Sequence, residues 1–180
     1  PATLQDCLDD VVKVAQAAGV PERGARLKRT LEMRLERVKE LVRDIQLDDE
    51  TTPPRVALLE WCNPIMGCGY WLPEMVEMAG GTPLHCPPPG GATPSITLDA
   101  LLASKPDVVI FALCGFGTSR AAKEIAESWS TEQLDQLRGV CEGKIFVVDG
   151  NYLVNRSGPR VVESVEAIAE AIHPDLRGHF

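Results

Sequence analysis

The segment LEWCNPIMGCGYWLPE, residues 59–74, combines side chains that could stack on a flat ligand with side chains that could bind a metal. It holds two of the three tryptophans, one of the two tyrosines and two of the six cysteines of the chain. Aromatic rings stack on flat or apolar ligands, and cysteine thiolates bind metals such as zinc. Two prolines and two glycines interrupt these residues, so a long helix or strand is not expected here.

A zinc site would have to draw on Cys62, Cys68, His85 and Cys86. Five residues separate the first two cysteines, which is not a usual spacing for a structural zinc site, so we expect no bound metal. There is no CxxC pair, and a chain of 180 residues with 44% hydrophobic composition does not need a disulfide framework. We therefore expect mostly reduced thiols at Cys7, Cys62, Cys68, Cys86, Cys114 and Cys141.

Motifs of common enzymes are missing from the sequence, and we expect no catalytic residue. GxSxG, HExxH and a Walker loop are all absent. His173 and His179 lie near the C-terminus, where we expect them to be solvated. The segment CGFGTSR, residues 114–120, imitates the first two glycines of a dinucleotide fingerprint, but Arg120 stands where a third small residue should allow close helix packing. We interpret this segment as a backbone turn, and a nucleotide-binding α/β enzyme stays an alternative.

Two helices are predicted in the first 50 residues. Thr3 can cap a helix whose apolar residues recur at helical spacing, and Gly19 can end it. From Pro21 to Leu47 a second apolar stripe predicts a helix about 40 Å long, enough to traverse a domain or to join two lobes. The polar segment DDETTPP, residues 48–54, is expected to be a hinge.

Strands and helices alternate after the hinge. Strands are predicted over residues 55–61, 107–113 and 144–150, helices over 71–79, 97–107, 118–128, 131–137 and 158–172, and a long irregular loop over 81–95. This alternation indicates an α/β fold, a three-layer Rossmann-like sandwich with a mainly parallel sheet, preceded by the long helix.

Ligands of open parallel sheets bind at the carboxyl ends of the strands, so the loops that follow the strands are the candidate site. These loops and their flanks hold five of the nine aromatic residues of the chain: Trp61, Tyr70, Trp71, Phe116 and Tyr152. Asn63, Asn151, Asn155 and Arg156 are candidate polar anchors beside them. For each ring taken alone, packing in the core is an alternative to contact with a ligand.

The overall composition excludes two classes of partner. The net charge of −8 and an isoelectric point near 4.9 argue against nucleic acid, which normally meets a basic face. The longest apolar runs are far short of the roughly 20 residues that span a bilayer, so no membrane insertion is expected.

Three segments together resemble the C-terminal lobe of the helical-backbone solute-binding proteins of ABC importers. They are RVALLEWCNPIMGCGYWLPEMVEMAGG, TLDALLASKPDVVIFALCGF and KIFVVDGNYLVNRSGPRVVESVEAIAEAI, and the resemblance covers nearly all of residues 53–173. The helix from Pro21 to Leu47 is similar to the interlobe helix of that family. The resemblance implies three units: residues 1–19 as a helix remaining from an absent N-terminal lobe, 20–52 as the interlobe helix and hinge, and 53–180 as the C-terminal α/β lobe.

Family members bind cobalamin, haem or ferric siderophores, and the cobalamin-binding branch is the most similar. The resemblance implies a ligand held edge-on between two lobes by aromatic side chains, and acidic residues that dock on the permease. By position, residues 61–66 and 151–156 match the cleft loops, and Asp99 matches the docking acid. The expected ligand-binding residues are Trp61, Asn63, Met66, Tyr70, Trp71, Phe116, Asn151, Tyr152, Asn155 and Arg156.

The sequence thus predicts a non-catalytic lobe that binds cobalamin, haem or a ferric siderophore without a covalent cofactor. Its expected partner is an ABC permease or a polypeptide that supplies the missing N-terminal lobe. A second hypothesis is that the fold has become a structural subunit of a larger assembly. The resemblance implies an extracytoplasmic location, whereas six reduced cysteines would also fit a reducing cytoplasm or organelle interior.

Overall fold

A computed structural model of the chain describes residues 1–49 and 52–180. Two packed helices come first, α1 over Leu4–Ala17 and α2 over Pro21–Asp49. The side chain of Thr3 accepts a hydrogen bond from the backbone N–H of Asp6, and the carboxylate of Asp6 accepts one from the backbone N–H of Thr3, so the start of α1 is capped as predicted. Helix α2 continues two residues into the predicted hinge, and residues 50 and 51 of that hinge lie outside the described residues.

The sheet that follows is parallel and has four strands. Its strands are β1 (Arg55–Leu59), β4 (Thr82–Pro83), β6 (Val108–Phe111) and β7 (Ile145–Val147), in the spatial order β4-β1-β6-β7. A separate antiparallel sheet of very short strands, β2 (Trp61–Cys62), β3 (Ile65–Met66) and β5 (Ser95–Ile96), lies just beyond the carboxyl end of β1.

Helices cover both faces of the parallel sheet. They are α3 (Leu72–Met78), α4 (Leu98–Ala103), α5 (Thr118–Ser128), α6 (Thr131–Val140) and α7 (Val161–Ile172), with a π-helical turn over Gly150–Val154 and a 3₁₀ turn over Pro174–Leu176. Alternate residues of β1 point to opposite faces: Leu58 packs in a core with α1, α2, α3 and α7, and Leu59 packs in a second core with α4, α5 and α6. The α/β class, the parallel sheet and the long helix are therefore confirmed.

Several predicted boundaries were wrong. The strands end earlier than predicted, because β1 stops at Leu59 and β7 at Val147. Trp61 does not end β1 but opens β2, where it pairs with Met66 across a tight hairpin. The predicted irregular loop over residues 81–95 begins and ends in short strand pairings, β4 and β5. The strand predictions ran too long because residues that belong to the loops are as apolar as the strands.

The prediction that His173 is solvated was wrong. The residue is only 7% exposed, and its Nε2 lies 3.1 Å from the carbonyl oxygen of Ala79, as a hydrogen bond. Burial lowers the pKa of the imidazole, because the charged form loses hydration. The ring lies against Gly80, where an added Cβ would approach Nε2 to 2.8 Å and Cγ1 of Val42 to 2.3 Å. Gly80 also has a φ of +83°, so this position needs glycine for two reasons.

One ion pair joins the long helix to the α/β unit. Arg34 on α2 donates two hydrogen bonds to Glu166 on α7, Nε to Oε1 at 3.0 Å and Nη2 to Oε2 at 2.6 Å. The Glu166 side chain is 12% exposed and the Arg34 side chain 39%. The carboxylate raises the pKa of the guanidinium, and the paired geometry fixes the rotation of α2 against α7.

We expect Glu166→Gln to lower the free energy of unfolding by about 1–2 kcal/mol, because it removes the charge from a largely buried bidentate pair while the guanidinium stays partly hydrated. Urea denaturation monitored by circular dichroism measures the change. Glu36→Gln is the matched control, since Glu36 forms an exposed pair with Lys39 on α2. Equal effects of the two substitutions would contradict a structural role for the Arg34–Glu166 pair.

Candidate ligand-binding site

Five aromatic side chains lie on the loops at the carboxyl ends of β1, β6 and β7. We call this set the aromatic face: Trp61, Tyr70, Trp71, Phe116 and Tyr152. Tyr70 and Tyr152 are 43% and 50% exposed, and the other three rings are half-buried. The rings therefore stand where a parallel sheet binds its ligands, and part of each remains open to solvent.

Trp61 and Phe116 form the first group of rings. Their centroids are 5.2 Å apart at an interplanar angle of 62°, an edge-to-face contact. The guanidinium of Arg120 lies 4.0 Å from the centre of the Phe116 ring, and the indole N–H of Trp61 donates to the carbonyl of Asn63 at 3.2 Å. Both rings also pack on the core between the sheet and α5, so core packing and exposure coexist at these residues.

Tyr70 and Trp71 form the second group, and Tyr152 lies in the turn after β7. Tyr70 and Trp71 have ring centroids 6.2 Å apart. The indole N–H of Trp71 donates to the carbonyl of Val154 at 3.2 Å, and the ring packs partly on the core beneath α3 and α7. The core-packing alternative therefore holds for the buried part of this side chain. The guanidinium of Arg160 lies 4.0 Å from the centre of the ring of Tyr152, a residue that is 50% exposed.

The loop after β7 is held against the turn after β6. The backbone N–H groups of Gly150 and Asn151 both donate to the carbonyl of Phe116, at 3.0 and 3.1 Å. Gly150 sits so close that an added Cβ would lie 2.1 Å from the carbonyl oxygen of Leu113. Asp149 accepts from the backbone N–H of Tyr152 at 2.6 Å. The two loops therefore behave as one rigid support for Phe116 and Tyr152.

The predicted polar anchors have different environments. The side-chain amide of Asn155 donates to the carbonyl of Ala112 at 2.7 Å, so it holds the loop to the sheet. Arg156 is exposed and bonded to Asn151, through Nε to the carbonyl at 2.6 Å and Nη2 to the side-chain oxygen at 2.8 Å. Asn63 is exposed in the hairpin turn next to Trp61. Arg156, Asn151 and Asn63 are thus accessible to a ligand, whereas Asn155 is engaged within the protein.

Glu60 is a positioning residue that the sequence interpretation missed. Its Oε1 accepts from the backbone N–H of Gly69 at 3.1 Å and from the hydroxyl of Thr93 at 2.8 Å. Tyr70 in turn exchanges backbone hydrogen bonds with Gly91 and Gly90, at 2.7 and 3.2 Å. Burial raises the pKa of the Glu60 carboxyl. A charged residue directly after a buried strand was the one signal in the sequence that could have found it.

The metal and nucleotide alternatives find no support in the geometry. Cys62 lies in the core on one face of the sheet and Cys68 in the core on the other. Within residues 1–49 and 52–180, no three His, Cys, Asp or Glu side chains converge as metal ligands. At the turn after β6, an added Cβ on Gly117 would lie 3.3 Å from Oδ2 of Asp149. A carboxylate therefore stands at the start of α5, where a nucleotide phosphate would have to bind.

Asp99 lies in the first turn of α4 and is exposed. Helix α4 follows β5, whose Ile96 pairs with Ile65 of the hairpin that carries Trp61. Asp99 therefore follows, three residues later, the strand residue Ile96 that pairs with this hairpin. Among the helices that the structure describes, none is both long and apolar enough to cross a bilayer.

A cavity of about 380 Å³ lies between α1, α2 and the turn at residues 157–159, and no residue of the aromatic face lines it. Its lining is almost entirely apolar and includes Val14, Val20 and Leu27, which are 68%, 38% and 39% exposed. We call this cavity the apolar groove along α1 and α2, and it is separate from the aromatic face.

Comparison with known proteins gives one curated relative. The chain is 25% identical over 176 residues to the uncharacterised ABC transporter substrate-binding lipoprotein YvrC of Bacillus subtilis. The match covers 96% of this chain and 52% of the relative, so the chain spans about half the length of the curated protein it matches. No family model matches the chain.

Solved structures give a stronger likeness in fold. A periplasmic haem-binding protein from Pseudomonas aeruginosa matches 96% of the chain with a TM-score of 0.77 at 20% identity, and the match covers 61% of that protein. The periplasmic vitamin B12-binding protein BtuF of Vibrio cholerae matches 98% with a TM-score of 0.70 at 16% identity, over 64% of its length. The chain has the fold of these periplasmic binding proteins, over 61–64% of their length.

Proposed function

We propose that the aromatic face is one wall of a binding site for a large, flat metal chelate, of the class of cobalamin, haem or a ferric siderophore. The observation that carries the proposal is the exposure of Tyr70 and Tyr152 on loops that are otherwise fixed by hydrogen bonds. Leaving large rings in water costs free energy, and such rings are typical of ligand-stacking surfaces. Two proteins of similar structure bind haem and vitamin B12, which agrees with this ligand class.

The binding is non-catalytic in this proposal. Rings and amides can hold and orient a chelate, and the exposed Arg156 can pair with a carboxylate at its edge. The aromatic face is an open surface and covers one side of a flat ligand. Tight binding needs most of the ligand buried, so the second wall comes from another lobe or polypeptide.

The proposed domain division follows from this. Residues 1–19 correspond to the end of an N-terminal lobe, 20–52 to the interlobe connection and 53–180 to the C-terminal lobe. Substrate-binding proteins deliver their ligand to an ABC permease, and Asp99, exposed in the first turn of α4, is the proposed docking acid. The proposed location is outside the cytoplasmic membrane, in agreement with the periplasmic and lipoprotein descriptions of the similar proteins.

A second candidate function is a structural subunit of a larger assembly. The apolar groove along α1 and α2 favours it, because Val14 and Leu27 are exposed there on a surface with little polar lining. In this proposal the groove is covered by a partner, and ligand binding at the aromatic face is absent.

The first proposal is tested by titrating the isolated chain with haemin or cyanocobalamin. We expect tryptophan fluorescence to be quenched, because Trp61 and Trp71 lie on the aromatic face. Tyr152→Ala should weaken binding by about ten-fold through loss of a stacking surface. Equilibrium dialysis measures the affinity independently of the fluorescence. Met33→Ala, at a residue 66% exposed on α2, is the control and should leave binding unchanged. Absence of binding up to the solubility limit of every chelate would contradict the proposal.

The second candidate is tested by analytical ultracentrifugation of the isolated chain. An uncovered groove should cause self-association that rises with protein concentration, and Val14→Glu should suppress it by placing a charge in the groove. Met33→Glu introduces the same charge outside the lining residues and should have no effect. A chain that is monomeric at all concentrations, with an intact chelate site, would rule the second candidate out.

The role of Glu60 in holding Tyr70 predicts a pH-dependent effect. Because the pKa of Glu60 is raised above 4.5 in the folded state, its contribution to stability is complete below pH 4.5 and is lost as the pH rises through the folded pKa. Glu60→Gln keeps a neutral acceptor for Gly69 and Thr93. We therefore expect its Tm, relative to the natural protein, to increase as the pH is raised from 4.5 to neutrality. Differential scanning calorimetry measures this difference, and a difference independent of pH would contradict the assignment.

A further inference from the structure

Tyr70 has a backbone conformation that large side chains seldom adopt. Its φ is +53°, in the left-handed region, where the Cβ of any residue except glycine crowds the backbone. The backbone N–H of Leu72 donates to the carbonyl of Gly69 at 3.0 Å, which closes a four-residue turn with Tyr70 in its first central position. Trp71, in the second, has a φ of −83° and a ψ of −9°. A positive φ followed by these angles is the pattern of a type II′ turn, whose first central position favours glycine.

Two exposed residues elsewhere have a positive φ for an ordinary reason. Lys105, with a φ of +46°, comes directly after the C-cap residue of α4, and Glu142, with a φ of +52°, comes directly after that of α6. A left-handed residue at this position is a common way to end a helix. Tyr70 instead comes before a helix, because α3 begins at Leu72. Helix termination therefore does not account for the conformation of Tyr70.

Contacts around the turn hold Tyr70 in this conformation. Its backbone N–H and carbonyl form hydrogen bonds of 2.7 and 3.2 Å with the backbone of residues 90–91. Gly69 approaches Thr93 so closely that an added Cβ would lie 2.4 Å from the backbone nitrogen of Thr93. The carboxylate of Glu60 accepts hydrogen bonds from both of these residues. A strained conformation persists where the surrounding contacts outweigh its cost, and these contacts surround the turn on two sides.

We propose that Tyr70 is a preorganised ligand contact, whose strained turn holds the phenol ring in the aromatic face before a ligand binds. The inference rests on the proposed function, since it gives this residue a role in chelate binding. The fold gains little from a ring that is 43% exposed, whereas glycine would adopt the same turn without strain. Strained residues cluster at ligand-binding sites. A ligand that stacks on a ring already in place loses less free energy to ordering the loop.

Fold stability and ligand binding therefore have opposite requirements at position 70. Glycine suits the turn, and tyrosine suits the ligand. The informative pair of variants is Tyr70→Gly and Tyr70→Ala, because both remove the ring and only alanine keeps a Cβ in the left-handed region. At most positions of a folded chain the glycine variant is the less stable of such a pair, so a reversed order identifies the strain.

The first experiment compares the Tm of the two variants by differential scanning calorimetry. We expect Tyr70→Gly to have the higher Tm, by about 2–4 °C, because it relieves the strain. Met33→Gly and Met33→Ala are the control pair, since Met33 is 66% exposed within α2, and there the glycine variant should have the lower Tm. A Tm of Tyr70→Gly equal to or below that of Tyr70→Ala would overturn the proposal.

The second experiment measures affinity for haemin and cyanocobalamin by equilibrium dialysis. For the probe that the natural protein binds more tightly, we expect Tyr70→Gly and Tyr70→Ala to bind about ten-fold more weakly. Tyr70→Phe keeps the ring and should bind within about two-fold of the natural protein. Natural affinity in Tyr70→Gly would contradict this inference and leave the proposed function standing. If the natural protein binds neither probe, the inference and the proposed function fail together.

A third variant keeps the ring and moves the turn. Gly69→Ala places a Cβ against Thr93, so the turn must shift and carry Tyr70 with it. We expect affinity to fall about ten-fold while circular dichroism shows a folded protein. If this variant does not fold, Thr93→Val replaces it, because it removes the hydroxyl that donates to Glu60. Natural affinity in the folded turn variant would rule out preorganisation by the turn.

Discussion

Burial of one stripe of α2 against α3 and α7 is the interaction on which the rest of the structure depends. Val38 is fully buried, and Leu31, Leu35 and Val42 are at most 5% exposed, although α2 is rich in charged residues. Each such side chain contributes about 1.5–3 kcal/mol when removed from water. The long helix therefore shares the core of the α/β unit, and it packs on the outer side of α3 and α7.

That packing fixes the elements from which the aromatic face projects. Helix α7 is held by α2 through apolar contacts and the Arg34–Glu166 pair, and the loop after β7 runs directly into α7. The same loop supports Phe116 through two backbone hydrogen bonds. Exposed rings can therefore be held in place without being buried, because the loops beneath them are ordered by contacts that do not involve the rings.

The sequence predicted best where local signals agree with tertiary contacts. Helix α5 matches its prediction at both ends, since a turn precedes Thr118 and the apolar residues recur at helical spacing. Local signals failed where a distant contact decides. The side chain of His173 is buried by Ala79 and Gly80, which are far away in the chain. The hairpin in which Trp61 pairs with Met66 is extended by the distant Ser95, which pairs with Met66.

Local sequence signals were limited in the same way at the candidate binding site, where contacts between distant residues decide the geometry. The five rings could be placed at one edge of the sheet, because strand order alone brings the carboxyl ends together. The Trp61–Phe116 contact, the engagement of Asn155 and the support from Glu60 and Thr93 depend on side-chain geometry between separate loops.

Gly80 links the sequence of three distant elements. A Cβ at this position would press on Val42 of α2 and on the ring of His173 after α7, while the backbone itself has a positive φ. Space for a side chain at position 80 could arise only if both neighbours became smaller, and the backbone strain would remain. Positions 42, 80 and 173 therefore cannot vary independently. A change at one of them requires matching changes at the others, and the three residues together determine how closely the long helix packs on the α/β unit.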